Sequence, residues 1–145
     1  MHWIPLAIIT ASAFGLYNIF IKMGSGRIDE ILGAVILQVV AAALGGLYAI
    51  FLHLNGHHFA ISTKGTLFAV AAGVAIGVAE ILTFMVYAKG APASMATPII
   101  MGGSILIAAL IGFVLLREQL GAMQLLGVAC VVAGVALISA FSPAG

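Results

Sequence analysis

Five long apolar segments, separated by short polar ones, fill almost the whole chain. They are too long for half-buried strands and lack strand alternation, so each predicts a helix. At 1.5 Å per residue, about 20 residues cross the roughly 30 Å hydrocarbon layer of a bilayer. We therefore predict an all-α integral membrane protein with helices over residues 3–21, 31–52, 66–88, 94–116 and 121–141.

The polar segments between these runs contain the residues that end helices. Residues 24–27 form a glycine-rich turn, 55–65 form the longest polar loop, and Pro92 follows a Lys-Gly-Ala sequence that ends the third run. A short tail with Ser142 and Pro143 follows the fifth run. The predicted connections leave no room for a soluble domain, and residues 1–145 are predicted to form one transmembrane domain.

Composition supports the same conclusion. The chain has 145 residues, of which 64% are hydrophobic and only 6% charged, whereas a soluble domain is about 25% charged. Lipid must therefore be its main solvent. The net charge of +1 comes without any basic cluster, so the sequence predicts no nucleic-acid partner.

No pattern of residues indicates an enzyme. His53, His57 and His58 fall at the end of a predicted helix or in a polar loop, where we expect them to be solvated. No catalytic Ser/His/Asp order, Cys-x-x-Cys pair or phosphate-binding glycine loop is present. The single cysteine, Cys130, lies in an apolar run and is expected to pack there. We expect no catalytic residue, cofactor or metal site.

One carboxylate, Glu80, lies near the centre of the third predicted span. An ionisable side chain at that depth costs about 3 kcal/mol even on lenient insertion scales. A chain that keeps such a group usually uses it to hold a substrate or to carry a proton. The alternative is a purely structural pairing of Glu80 with Lys22 or with a hydroxyl group.

The third predicted helix carries small and polar residues along one face. Gly73, Gly77, Glu80, Phe84 and Tyr87 fall on one side of a helix by their spacing. Glycines four residues apart allow another backbone to approach closely. We therefore expect Glu80 to face protein or a cavity rather than lipid.

The other predicted helices carry similar stripes of small residues, as expected in lipid, where burial of apolar surface does not drive association. For the side chains around Glu80, hydrogen bonding between helices and contact with substrate are both consistent with the sequence. The residues predicted to pack helices together are Gly15, Gly73, Gly77, Gly102, Gly103, Gly127 and Gly134. The residues predicted to bind substrate or protons are Glu80, Asn18, Gln38, Tyr87, Ser104, Tyr17 and Trp3, the last two as aromatic walls.

The loops show almost no charge asymmetry. With five spans, one side carries Lys22, Arg27 and Lys89, and the other carries Lys64 and Arg117. Orientation in the membrane follows from such asymmetry. Either partner helices fix a single orientation, or the chain inserts both ways and pairs with its own inverted copy.

The second half of the chain resembles the EamA domain of the drug/metabolite transporter superfamily. That domain opens its fourth helix with a small-Pro-Ala-Ser turn, follows it with a Leu-x-Glu turn, and has a Gln-x-x-Gly…Gly pattern in its fifth helix. Helix 1, with Gly15 and Lys22, is similar to the opening helix of the family, so the resemblance covers essentially the whole chain. The matching positions are Pro92, Ala93, Ser94, Pro98, Glu118, Gln124, Gly127 and Gly134.

Most members of that superfamily join two such units in opposite orientations, whereas this chain has one. The resemblance therefore implies a second half from elsewhere, most simply an antiparallel homodimer. The small multidrug resistance proteins are similar in this respect, but their membrane glutamate lies in the first helix. Here that helix has Asn18 and no acid, so their exchange chemistry does not transfer directly.

We expect a secondary transporter that moves a small metabolite or drug-like solute by alternating access, with proton coupling through Glu80. The alternatives are a subunit of a flippase for lipid head groups or polyprenyl-linked sugars, an accessory subunit of a larger complex, and a structural membrane protein. The resemblance places the protein in a cell (inner) membrane of a bacterium or archaeon.

Overall fold

The computed structural model describes residues 3–141, which form five α-helices joined by short loops. All five are long and apolar enough to cross a membrane, which confirms the predicted five-span, all-α architecture. The predicted tail at 142–143 lies outside the described residues. The helices are α1 (Trp3–Gly24), α2 (Glu30–Leu54), α3 (Thr63–Ala88), α4 (Ala93–Val114) and α5 (Ala122–Ala140).

Large apolar side chains are exposed on the surface of every helix. Leu47 in α2, Phe68 in α3 and Val114 in α4, for example, are 65%, 72% and 72% exposed. A soluble monomer rarely exposes contiguous apolar patches of more than a few hundred Å². The surface of this chain is therefore suited to lipid, and the protein is a multi-pass membrane protein.

Three helices begin earlier than the hydrophobic pattern predicts, and in two of them, α2 and α3, a polar side chain caps the first turn. The Asp29 carboxylate accepts hydrogen bonds from two backbone N–H groups in the first turn of α2, at 3.0 and 3.1 Å. Ser62 caps α3 in the same way and accepts from the Gly65 N–H at 3.1 Å. Since a capped helix can begin among polar residues, α3 starts at Thr63 rather than at the predicted 66.

The end of α4 has a different cause. Arg117 adopts a φ of 55°, the left-handed conformation that commonly ends a helix. The chain then turns back, and the Glu118 N–H donates to the Gly112 carbonyl at 3.0 Å. As a result α4 ends at Val114, two residues before the predicted end.

The described residues divide into two compact units between Gly90 and Ala91. In the first unit α3 lies in the middle, and α1 and α2 both pack on α3. This arrangement leaves a groove between α1 and α2. In the second unit α4 packs against α5.

The packing of α2 on α3 depends on two glycines. A Cβ at Gly33 would lie 2.7 Å from the ring of Phe84, so the ring lies directly against the α2 backbone. A Cβ at Gly77 would lie 3.6 Å from the amide nitrogen of Gln38. The two pairs show that α2 and α3 run antiparallel.

The second unit has close approaches at glycines of its own. A Cβ at Gly102 in α4 would lie 2.2 Å from a methyl group of Val135 in α5, so only glycine fits there without a shift. The start of α5 is held by Gln124, whose side-chain oxygen accepts from the Gly121 N–H at 2.7 Å. This contact corresponds to half of a capping box.

Candidate transport site

Glu80 is the ionisable side chain that α3 places inside the protein. It is 4% exposed, and its carboxylate accepts a hydrogen bond from the Tyr17 hydroxyl of α1. At 1.5 Å per residue, Glu80 lies about 7 Å from the midpoint of α3, towards its C-terminal end. That position is still within a hydrocarbon layer roughly 30 Å thick centred on the helix.

A second hydrogen bond joins the same two helices next to the first. The Tyr87 hydroxyl donates to the side-chain oxygen of Asn18 at 3.2 Å, and the Asn18 amide nitrogen donates to the Phe14 carbonyl at 2.8 Å. Asn18 and Tyr87 are only 1% and 2% exposed. Hydrogen bonds between side chains of membrane helices contribute about 0.6 kcal/mol on average, so this pair acts mainly to fix how α1 faces α3.

The C-terminal ends of α1 and α3 are joined through backbone carbonyls. The Lys22 ammonium donates to the Tyr87 carbonyl at 3.4 Å and lies 5.8 Å from the centre of the Tyr87 ring. The Ser25 hydroxyl donates to the Phe84 carbonyl at 2.9 Å. A cation at a helix C-terminus also interacts favourably with the helix dipole. The sequence suggested two structural partners for Glu80, a hydroxyl group and Lys22. The Tyr17 hydroxyl does bind Glu80, whereas Lys22 binds the Tyr87 carbonyl instead.

Gln38 approaches the Glu80 face of α3 from α2. Its amide lies beside Gly77, one helical turn before Glu80. The structure thus places four of the predicted site residues on three helices of the first unit, and Tyr17 among them contacts Glu80. Those four are Tyr17, Asn18, Gln38 and Tyr87.

Trp3 and Ser104 are the other two predicted site residues. Trp3 is 73% exposed and is about 21 Å from Tyr17 along α1, at 1.5 Å per residue. Ser104 belongs to the second unit, where it is exposed and donates to the Met101 carbonyl of its own helix at 2.7 Å. Their contact with substrate stays a prediction.

The predicted packing glycines fall into two groups. A Cβ added at Gly77 or Gly102 would lie within 4 Å of a neighbouring helix. The remaining five have open space there among the described residues, and their role in packing stays a prediction. These five are Gly15, Gly73, Gly103, Gly127 and Gly134.

The sequence does not predict two of the observed contacts. Gly33 is a single glycine outside any spaced pair, so no repeat pattern marks it as the position where Phe84 packs. Ser25 lies in a glycine-rich turn, where a polar residue is expected to be solvated, yet it reaches the Phe84 carbonyl. The one available signal was that Ser25 follows Asn18 by seven residues, which places both on the same helix face.

The groove between α1 and α2 has a volume of about 800 Å³. That volume lies in the range of small-molecule sites, roughly 300–1,000 Å³. Among the residues that line it, Tyr17 has the only polar side chain. The lining residues are Ala13, Leu16, Tyr17, Phe20, Ile21, Gly24, Ile28, Gly33, Ile36, Leu37, Val40, Leu44 and Phe84.

A multi-pass membrane protein that buries a carboxylate among side chains of neighbouring helices has the features of proteins that handle solutes or ions within the bilayer. The comparison with known families agrees. The chain matches the EamA-like transporter family over residues 1–140 and belongs to that family. This confirms the resemblance to the drug/metabolite transporter superfamily found in the sequence. Comparison with curated proteins and with solved structures finds no match.

Proposed function

We propose that the protein is a secondary transporter that moves a small metabolite or drug-like solute by alternating access. Glu80 is the group that binds protons and substrate in turn. The observation that carries the proposal is the partner of Glu80: the buried carboxylate is hydrogen-bonded by a neutral phenol, and Lys22 binds a backbone carbonyl instead. A neutral partner leaves the negative charge of an ionised Glu80 uncompensated.

An uncompensated charge inside the bilayer is expensive, and this cost provides the coupling. Glu80 is stable in the membrane when it carries a proton or when a cationic or polar substrate binds in the position of that proton. If the two states exclude each other, the protein exchanges one for the other as it opens to each side. Asn18, Gln38 and Tyr87 supply polar groups around the exchange site.

A single five-helix unit needs a partner to complete such a transporter. Inverted repeats place the substrate site near the midplane, at the interface between the repeats. We propose that the partner is an antiparallel copy of the chain in a cell (inner) membrane. The exposed apolar surface of the helices and the nearly symmetric Lys and Arg distribution support this arrangement.

Proton coupling is tested by Glu80→Gln, which removes the charge and nearly keeps the shape. Purified protein in liposomes that contain a pH-sensitive dye is exposed to gradients of a panel of amines, amino acids and hydrophobic cations. We expect at least one solute to drive proton movement through the wild type. We expect Glu80→Gln to abolish that movement, because the amide does not exchange protons.

Glu30→Gln is the matched control, since it makes the same chemical change in the first turn of α2, at a residue that is not among the predicted site residues. It should retain the coupled flux. Size-exclusion chromatography should show both variants in the same oligomeric state as the wild type. Unchanged solute-driven proton flux in Glu80→Gln would refute the proposed role of Glu80. Failure of Glu80→Gln to assemble would indicate a structural clasp instead.

The antiparallel homodimer is tested by the orientation of single cysteines in intact cells. His2→Cys and His57→Cys are placed separately on a Cys130→Ser background and labelled from outside with a membrane-impermeant thiol reagent. We expect about half of each population to react, because the loops carry almost no charge bias. If each site instead reacted completely or not at all from outside, the chain would have a single orientation. That result would exclude self-inversion and would point to a different inverted partner.

The apolar lining of the groove favours a second candidate, a flippase subunit for a lipid-linked substrate. A polyprenyl or acyl chain needs apolar walls, and twelve of the thirteen lining residues have apolar side chains or none. Mass spectrometry of lipids that co-purify with the protein separates the two candidates. A retained polyprenyl lipid would favour the flippase over the transporter of soluble solutes.

A further inference from the structure

We propose that Tyr17 is the gate between the apolar groove and Glu80, and that a solute reaches the carboxylate only by taking the place of the Tyr17 hydroxyl. This inference rests on the proposed function in one respect: Glu80 must be the group that the solute meets. The residues that carry the proposal all lie within the first unit.

Tyr17 is in contact with two different environments. Its side chain lines the groove between α1 and α2, while its hydroxyl donates to the Glu80 carboxylate. Glu80 is almost completely buried and is absent from the residues that line the groove. Among the residues lining the groove, Tyr17 is therefore the one whose polar group meets the carboxylate.

The ring of Tyr17 has space into which it can move. A second, smaller cavity of about 190 Å³ also borders Tyr17, and its other lining residues are Thr10, Ala13 and Phe14. Phe14 packs edge-on against the Tyr17 ring, with 5.9 Å between the ring centres, and is itself half exposed. Rotation of Tyr17 towards this cavity would remove the hydroxyl from Glu80 and open the carboxylate to the groove.

The neighbouring tyrosine lacks this freedom. The Tyr87 hydroxyl is bonded to Asn18, whose amide is in turn fixed by the Phe14 carbonyl. Tyr87 is 2% exposed, and it lines neither of the two cavities that Tyr17 lines. Of the two phenols between α1 and α3, Tyr17 is thus suited to move and Tyr87 to hold the helices in place.

The gate also defines a class of substrate. The groove offers apolar contacts along its length and no polar side chain other than Tyr17. A solute that displaces the hydroxyl must replace its hydrogen bond to Glu80, since a buried carboxylate without a partner is unfavourable. The expected substrates are mainly apolar molecules with one N–H or O–H donor, such as hydrophobic amines or alcohols.

The test measures access to Glu80 without any substrate. The full chain in detergent or liposomes is treated with dicyclohexylcarbodiimide, an apolar reagent that attacks protonated carboxyl groups inside membranes. Peptide mass spectrometry gives the rate of modification at Glu80 across a range of pH. The variants are Tyr17→Phe, which removes only the hydroxyl, and Tyr17→Ala, which also removes the ring; Tyr48→Phe is the matched control, because Tyr48 is exposed and lines neither cavity.

We expect Tyr17→Phe to raise the modification rate by about 3- to 18-fold, the range that corresponds to the loss of one hydrogen bond between membrane helices. Tyr17→Ala should raise it further, and Tyr48→Phe should stay within about twofold of the wild type. The increase should persist at the low-pH plateau, where the carboxyl group is fully protonated. A persistent increase shows greater access, whereas a change in proton affinity alone moves only the midpoint of the pH profile.

Equal plateau rates in the wild type and Tyr17→Phe would overturn the gate, as would an equal increase in Tyr48→Phe, which would indicate a non-specific effect of the substitution. Phe14→Ala provides a second variant, because it enlarges the smaller cavity and leaves the Tyr17 hydroxyl in place. It should raise the rate by a smaller factor, and no change there would also count against the gate. The labelling needs no transport, so a failure of coupled flux in the proposed function and a failure of the gate are distinguishable.

Discussion

The contact of α1 with α3 in the first unit and the contact of α4 with α5 in the second are built in different ways. In the first, side chains of α1 reach α3 through hydrogen bonds, as in the pairs Tyr17–Glu80 and Asn18–Tyr87. In the second, α4 and α5 approach closely at Gly102, against the Val135 side chain. Since apolar burial does not favour helix association in lipid, polar contacts and close packing are the two available means.

The two kinds of contact suit different roles during transport. Polar contacts between helices can exchange partners with a substrate or a proton, so they suit a region that must change during transport. A glycine against a valine has one favourable arrangement and no chemistry to exchange. The comparison supports the proposal that the first unit carries the solute chemistry, whereas the close approach at Gly102 holds α4 and α5 in one arrangement.

The largest expected effect on stability is therefore in the second unit. Gly102→Ala would place its Cβ 2.2 Å from a Val135 methyl group, so α4 and α5 must move apart. Overpacking of this kind typically costs about 1–3 kcal/mol. We expect a loss of that size in the free energy of unfolding, measured by SDS titration in detergent and followed by circular dichroism.

The adjacent glycine provides the control. A Cβ at Gly103 has no atom within 4 Å among the described residues, so Gly103→Ala should leave the unfolding free energy unchanged or slightly higher. If both variants lost the same stability, the close approach at Gly102 would not be what holds α4 to α5. The contrast between the units would then lose its basis.

A smaller effect is expected from the polar contacts of the first unit. Tyr87→Phe removes the hydroxyl that donates to Asn18. The expected loss is about 0.6 kcal/mol and at most about 1.7 kcal/mol, the range for hydrogen bonds between membrane helices. The same SDS titration measures it. Tyr48→Phe in α2 is the comparison variant, because Tyr48 is 63% exposed.

A loss in Tyr87→Phe larger than that in Gly102→Ala would reverse the comparison. It would make the polar contacts the main source of stability and would argue against their exchange during transport. A loss equal to that of Tyr48→Phe would show that the Asn18 contact contributes nothing measurable. Either result would require a different explanation for why Asn18 and Tyr87 are buried.

The sequence was sufficient to predict the five spans, because apolar runs of this length have few alternatives. Helix ends were less predictable, since they depend on single residues such as Ser62 and Arg117. A serine next to an apolar run is a known start signal, but an arginine in a left-handed conformation has no signal in the sequence. The family was also predictable, from the order of several weak motifs rather than from any one of them.

The sequence predicted which residues belong to the candidate site but not which of them form hydrogen bonds with each other. Spacing along α3 placed Glu80 on the face with Gly77 and Tyr87, and this follows from helix geometry alone. The choice of Tyr17 as the partner of Glu80 depends on how α1 is rotated against α3. A chain with polar residues at both 17 and 18 is compatible with more than one rotation.

The backbone contacts of Lys22 and Ser25 have a consequence for how the family can diverge. Both donate to carbonyl groups, at Tyr87 and Phe84, which every residue type provides. Substitutions at 84 and 87 therefore leave these two ties intact. The bonds between side chains, from Tyr17 to Glu80 and from Tyr87 to Asn18, need a suitable residue at both positions. A substitution at one position therefore keeps the bond only when the other position changes to match. Related chains should thus vary these bonded side chains in coordinated pairs, while the two bonds to backbone carbonyls are inherited without such constraint.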